Sequence, residues 1–436
     1  MNNDNYIINL LDLQDENLVV KDITFGDQIT IFIEFFSLPQ LTSCPRCGSI
    51  HYNKHSFWNR TIKHSKIAGQ QTIIILKQPR LVCMDCGKTF NVETSFIRKN
   101  RRISNSLSNS IIDNSKKKIS FKDIAQDSNV SETTIYTEFK KQINEFRCKL
   151  TEIVCIDEFK ASTIAGKYAL IIGDPVSGTI LDILPSRQQD YILYYFQTIP
   201  KIELNKVKYL VTDLNEAYRS IFKVILPSAV RIADRFHWIR QTTEAFNKMR
   251  IRIMNIHIKN SEILTGPEKY KEREYADLLK KNYKLLLANK CSKPSWYFDQ
   301  IIKTDKYGQN ITIQNKIEKC INYDKNLEEG YTLLQELYSI AKYSIFENAR
   351  ERIMKWCDKV LNSDFIIPEM KKAALTYKNW IDEIVNSFII NPITHERMSN
   401  GFIEGKNNFC KVIKRVGFGY KDFDVFRNKI LNCNRK

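Results

Sequence analysis

TEIVCIDEFKASTIAGKYALIIGDPVSGTILDIL, residues 151–184, is a set of short apolar runs separated by turn-forming residues, and it sets the class of the fold. IVCID (153–157), YALIIGD (168–174) and TILDIL (179–184) are rich in β-branched side chains and too short for helices, so they read as adjacent strands. Downstream the pattern alternates: a helix near 189–199, VKYLVTD (207–213), a helix beginning at Leu214, then AVRIAD (229–234). Adjacent strands followed by helix–strand alternation predict a mixed α/β sheet. Its first and fourth strands end in Asp157 and Asp213, and carboxylates at strand ends point into a shared cleft. Taken singly, each aspartate equally suits a turn or a helix cap.

A third carboxylate comes from SNGFIEGKNNFCKVIKR (399–415). Phe402, Phe409, Ile413 and Val416 follow at spacings of 7, 4 and 3, which is the period of a buried helical stripe. Glu404, Asn408, Lys411 and Arg415 follow at 4, 3 and 4 on the other side. A surface helix has the same pattern. With Asp157 and Asp213, however, Glu404 makes a set of oxygen ligands suited to a divalent cation. Between these parts, Asp234-Arg235-Phe236-His237 opens a further helix, with Asp234 as its N-cap and His237 as a phosphate contact or a buried histidine. Residues 241–395 are helical by period and carry no chemical signal, so they read as a helical insertion.

Toward the N-terminus, ITIFIEFF reads as strand. SCPRCGS places Cys44 and Cys47, and LVCMDCGKTF places Cys83 and Cys86, as paired CxxC knuckles followed by glycine. Two such knuckles complete a tetrahedral, structural Zn²⁺ site. His51, His55 and His64 lie between them and could substitute as ligands, but are expected to be exposed or on phosphate. A basic hinge follows at Arg98, Lys99, Arg101 and Arg102. ISFKDIAQDSNVSETTIYTEFK (119–140) then reads as a helix-turn-helix, with Ser131 capping the second helix, Ile135 inward, and Thr134 and Tyr136 outward. An ordinary helical hairpin between domains shares that pattern.

Lys and Arg outnumber Asp and Glu by 67 to 49, a net +18, which favours a polyanionic partner. No apolar run approaches membrane-spanning length and no signal peptide opens the chain, so a soluble, cytoplasmic protein with no membrane partner is expected. The seven cysteines outside the knuckles are scattered, as in a reducing compartment.

The order of parts is itself distinctive. Two knuckles, a helix-turn-helix, IDEF (156–159), DLNEAY (213–218), ADRFH (233–237), NGFIEGKNN (400–408) and KRVGFGY (414–420) together resemble insertion-sequence transposases of the ISL-three family. The resemblance covers nearly all of the chain from Cys44 onward. It implies a ribonuclease H-like catalytic domain with a DDE triad, interrupted by a helical insertion. By that match Asp157, Asp213 and Glu404 are the catalytic carboxylates and would hold Mg²⁺ or Mn²⁺, while Asp234 and His237 fall in a motif without an assigned role. The implied partners are double-stranded DNA, both the terminal inverted repeats and the target, and a homodimer or higher oligomer on that DNA at the nucleoid. From charge and helical period rather than from the resemblance, Arg98, Arg101, Arg102, Thr134, Tyr136, Lys411 and Arg415 are the expected DNA contacts, with a solvated basic surface as the alternative for the arginines and Lys411.

The expected divisions are a zinc module (1–97), a helix-turn-helix region (98–150), the catalytic domain (151–240), its helical insertion (241–395), and the catalytic domain's second part with a basic tail (396–436). Two other functions use the same residues: a DNA-binding regulator that does not need the acids, and a metal-dependent nuclease that cuts without joining.

Overall fold

The computed structural model describes residues 8–9, 11–13, 15–40, 42–141, 147–304 and 308–434. The chain divides into two compact units, Met1–Phe146 with Cys410–Lys436, and Arg147–Phe409. The division falls inside the helix that carries Glu404.

The first unit is built on strands β1 (Leu18–Phe25), β2 (Ile29–Phe35), β3 (Tyr52–Ile67), β4 (Gln70–Cys83) and β5 (Thr89–Asn91). Their order is β1-β2-β4-β3, with β5 on β4. Alternation in ITIFIEF turns Ile29, Ile31 and Ile33 inward against Ile62, Ile74 and Leu76. The β3–β4 hairpin reverses at Ala68-Gly69, both at positive φ, a conformation that glycine adopts without cost. At the hairpin's other end Tyr52 pairs with Cys83, so β4 runs directly into the second knuckle.

Helices α1 (Asn105–Ser115), α2 (Phe121–Asp127) and α3 (Glu132–Lys141) follow. Ser104 caps α1 and a Ser120–Asp123 capping box starts α2. The Oγ of Ser131 accepts from the Thr134 N–H, and Asn129 takes the left-handed turn conformation. Leu107, Ile111, Ile124 and Ile135 form their shared core. The predicted helix-turn-helix is therefore present as α2 and α3, with α1 as a third member not read from the sequence. The C-terminal helix Phe423–Asn434 belongs to the same unit. Its Lys429 is 1% exposed and donates to the Ser115 and Lys117 carbonyls, so this lysine of the basic tail is structural.

The second unit holds β6 (Ile153–Thr163), β7 (Gly166–Asp174), β8 (Thr179–Leu184), α4 (Gln189–Gln197), α5 (Lys201–Leu204), β9 (Tyr209–Thr212), α6 (Glu216–Ile225) and β10 (Val230–Ala233). The sheet order is β10-β9-β6-β7-β8, antiparallel from β6 to β8 and parallel from β6 to β10. This is the expected mixed sheet of a ribonuclease H-like domain. Val154 and Ile156 face the layer of Ile192, Phe196 and Phe222, so Cys155 and Asp157 face the opposite side.

Two boundaries differ from those expected. Asp157 does not end its strand, because β6 continues to Thr163 through pairing with β7 and burial of Phe159 and Ala161. Aspartate disfavours strands, but cross-strand pairing overrides that preference here. Likewise α6 starts at Glu216 behind an Asn215 cap rather than at Leu214.

The insertion consists of α7 (Arg235–Ile263), α8 (Gly266–Lys281), α9 (Tyr283–Leu286), α10 (Ile313–Ile321), α11 (Lys325–Tyr343), α12 (Phe346–Leu361), α13 (Pro368–Asn379) and α14 (Ile381–Asn386). It has its own core around Trp238, Phe246, Leu334, Trp356 and Tyr377. Among its described residues the two named strands form an antiparallel ribbon, Ile301–Thr304 with Asn310–Thr312. The chain then returns through α15 (Gly401–Val416).

Candidate metal centres

The four knuckle cysteines converge at the end of the β3–β4 hairpin. Sγ of Cys44 lies 3.6 Å from that of Cys86, and Sγ of Cys47 lies 3.5 Å from that of Cys83. Four thiolates about 2.3 Å from one zinc stand about 3.8 Å apart, so this is a tetrahedral cage of nearly the right size. The turns are shaped by backbone: the Gly48 and Gly87 N–H groups donate to the Cys44 and Cys83 carbonyls, and both glycines have positive φ. The histidines between the knuckles are not ligands of this cage. His51 faces Asp85 at 3.6 Å, and His64, expected to be exposed, is instead buried against Ser104 Oγ.

The second centre lies on the face of the β6–β10 sheet away from α4 and α6. Asp157 projects from mid-strand; its Oδ1 accepts from the Glu158 N–H and its Oδ2 from Asn407 Nδ2 at 2.7 Å. Asp213 follows β9 directly and places Oδ2 3.0 Å from His237 Nδ1. Asp234, at the end of the neighbouring parallel strand, is buried, and its Oδ1 accepts from the Asn400 N–H at 2.9 Å. It precedes α7 without making a side-chain capping bond. Its other oxygen lies 3.8 Å from His237 Nε2. One ligand atom from each of Asp213, Asp234 and His237 lies within 4.8 Å of the others.

Burial and crowding set the electrostatics. Desolvation, then the charges of Asp157, Asp234 and Glu158, push the Asp213 carboxyl up from 3.8 to about 8. Desolvation also raises Asp157 and Asp234 above the usual carboxylate range. Asp213 Oδ1, Asn400 Oδ1 and Asn407 Oδ1 are shielded acceptors without a hydrogen-bond partner. Buried acceptors without donors are costly, and together with crowded acids they fit a hard cation.

Glu404 lies in the first turn of α15 and is exposed. It is not in the group of Asp213, Asp234 and His237, and neither is Asp157. The helix around it is held firmly. Asn400 Nδ2 donates to the Ile156 carbonyl, Ile403 is buried, and Phe402 packs against Gly173, where an added Cβ would fall 2.5 Å from the ring. At about 100° per residue, Glu404 emerges within about 60° of the face shared by Asn400 and Asn407. Those two asparagines were missed from the sequence. NGFIEGKNN showed them only as polar letters, and their spacing of seven, two helical turns, was the available signal.

The expected DNA contacts differ in availability. Arg98, Arg102, Lys411 and Arg415 are exposed. Arg101 is half-buried and paired with Glu138 at 2.8 Å. Thr134 Oγ1 lies 2.9 Å from Ser131 Oγ, and the Tyr136 hydroxyl donates to Asp422 Oδ2 at 2.8 Å. Among the described residues no helix is long and apolar enough to cross a membrane.

Residues 154–430 match the model of the ISL3-type DDE family, described as a transposase, and residues 40–86 match the zinc finger of transposases IS204/IS1001/IS1096/IS1165. The chain is 21% identical to the transposase for insertion sequence element IS1001 of Bordetella parapertussis over 401 residues, 89% of this chain and 87% of that protein. A shorter similarity, 25% over 160 residues, covers 36% of this chain and 46% of a Lactococcus lactis subsp. lactis protein named as an ATP-dependent protease.

Proposed function

The chain belongs to the ISL3 family of DDE transposases, and on that premise we propose that Asp157, Asp213 and Glu404 are its catalytic carboxylates. As a family member it is a DNA transposase, with a structural zinc in its N-terminal ribbon and a divalent cation, Mg²⁺ or Mn²⁺, at its catalytic site. The observation that supports Asp157 and Asp213 is their burial and crowding on neighbouring strands, which pushes the Asp213 carboxyl well above the usual carboxylate range, while Glu404 rests on the family motif and on its anchored turn. Asp157, Asp213 and Glu404 would hold that cation. The chemistry supplied with it bound is a more acidic attacking water and offset of charge on the leaving oxygen.

The protein's own residues set the geometry. Asn407 fixes one oxygen of Asp157, leaving its carboxylate plane defined. Asn400 ties the start of α15 to β6 and to Asp234, so Glu404 emerges from an anchored turn. Glu404 is exposed on that turn and would supply the third carboxylate to the cation.

The DNA is double-stranded: the terminal inverted repeats and the target, within a bacterial nucleoid. Arg98, Arg102, Lys411 and Arg415 meet phosphates, α3 with Thr134 and Tyr136 faces the repeat, and Arg101 braces α3 through Glu138. Two ends must be joined in one event, so a homodimer or higher oligomer assembles on them. The test is metal-dependent cleavage and strand transfer by Asp157→Asn, Asp213→Asn and Glu404→Gln beside binding to the ends. Each change should cut both reactions by orders of magnitude and spare binding. Asp174→Asn and Asp182→Asn serve as controls. Asp174 is held by Val176 N–H and Ser177, and Asp182 by Ile183 N–H and Tyr195. Near-full activity of Glu404→Gln would reject it as third ligand.

A further inference from the structure

The ADRFH motif at 233–237 stands against the carboxylates and is not used by the triad. We propose that His237 is a nitrogen ligand of the catalytic cation, sharing it with Asp213, and that Asp234 is the positioning residue that aims the imidazole. The inference rests on Asp213 being a metal ligand, as read above. Three features of the geometry carry it. Neighbouring ligand atoms around an octahedral ion with bonds of about 2.1 Å stand about 3 Å apart, and His237 Nδ1 lies 3.0 Å from Asp213 Oδ2. The ring's other nitrogen lies 3.8 Å from Asp234 Oδ2, beyond hydrogen-bond length in the metal-free site but near enough that a small closure would let this carboxylate set the imidazole's tautomer and orientation. Asp234 itself is 3% exposed and held by the Asn400 N–H, so it cannot swing away.

Asp213 Oδ1 is also shielded from solvent and has no hydrogen-bond partner, a costly acceptor that a bound cation would satisfy. The local sequence explains the placement: β10 ends at Ala233, and the first turn of α7 carries His237 three residues beyond Asp234, on the same side of the helix. A nitrogen ligand changes which ion is favoured. Mg²⁺ strongly prefers oxygen, whereas Mn²⁺ accepts imidazole, so the site should favour Mn²⁺.

The test is electron spin-echo modulation of Mn²⁺ bound to the full chain, with and without a terminal-repeat duplex. The diamagnetic zinc ribbon does not contribute. A directly coordinated nitrogen should be seen in the unaltered protein, lost in His237→Gln and retained in Glu404→Gln. His237→Gln should also weaken Mn²⁺ binding about tenfold or more and lower the ratio of Mn²⁺ to Mg²⁺ affinity. Asp234→Asn should weaken Mn²⁺ binding but keep the nitrogen signal. Mn²⁺ that binds in an Asp213-dependent way without a nitrogen signal overturns the role of His237 and leaves the carboxylate reading intact. A nitrogen signal persisting in His237→Gln overturns it too. Failure to bind Mn²⁺ under either condition, or binding indifferent to Asp213→Asn, overturns both.

Discussion

Asn407 Nδ2 donates to Asp157 Oδ2 at 2.7 Å across 250 positions of chain, fastening the helix that carries Glu404 to the middle of strand β6. The other amide atom, Asn407 Oδ1, is shielded and without a partner. One neutral side chain thus restrains a carboxylate and offers a further oxygen beside it.

Replacing that amide tests the restraint. Asn407→Leu should keep the fold, because the position is buried, and should lower cleavage by roughly ten- to a hundredfold with little change in binding to the ends. Unchanged turnover would show that Asp157 is positioned without it.

The pH response of the acids is predictable in sign. Asp213 has its folded pKa raised from 3.8 to about 8, so the metal-free protein gains stability from this group below its ordinary pKa and loses it as pH rises through about 8. A bound divalent ion requires the ionised form. The rise in melting temperature on adding Mn²⁺ should therefore grow between about pH 6 and 8. Asp213→Asn should abolish that growth; a pH-independent rise in the unaltered protein would contradict the assignment.

Gly173 leaves room for Phe402 on the sheet. Gly173→Ala should destabilise the protein by about 1–3 kcal/mol in urea unfolding through overpacking, and should also lower cleavage because the turn bearing Glu404 is displaced. Adding Phe402→Leu should return most of the stability. If the double variant is no more stable than Gly173→Ala alone, the clash is elsewhere.

Zinc removal should act on the first unit. Cys83→Ser, which alters the cage where β4 ends, should abolish zinc retention by elemental analysis and weaken binding to DNA. A variant that binds the ends as well as the unaltered chain would show that the ribbon is dispensable for recognition.

DNA affinity should fall steeply from low to moderate salt, given a net +18. Within α3, Tyr136 and Lys140 both hold Asp422; burial works against its charge, but the Lys140 and Tyr136 hydrogen bonds prevail and pull Asp422 down to about 2. Tyr136→Phe and Asp422→Asn should then reduce discrimination of terminal from random DNA to a similar degree. Loss with Tyr136→Phe alone would mean that the hydroxyl reads bases directly.

Periodicity and spacing alone were sufficient for the mixed sheet, the helical insertion, the helix-turn-helix and the zinc knuckles. Each of these signals is local: alternation in ITIFIEF, the CxxC pairs, the cap at Ser131 and the apolar run before Asp213 report conditions set by neighbours a few residues away. The path of β6 beyond Asp157, the burial of His64 and Lys429, the pairing of Arg101 with Glu138 and the clamp from Asn400 and Asn407 were decided only by the tertiary structure. The reason is that a polar letter carries no sign of its partner. Asparagine, histidine or lysine is solvated or buried according to whether a distant carbonyl or carboxylate comes within hydrogen-bonding distance, and that distance is set by packing of elements up to hundreds of residues apart.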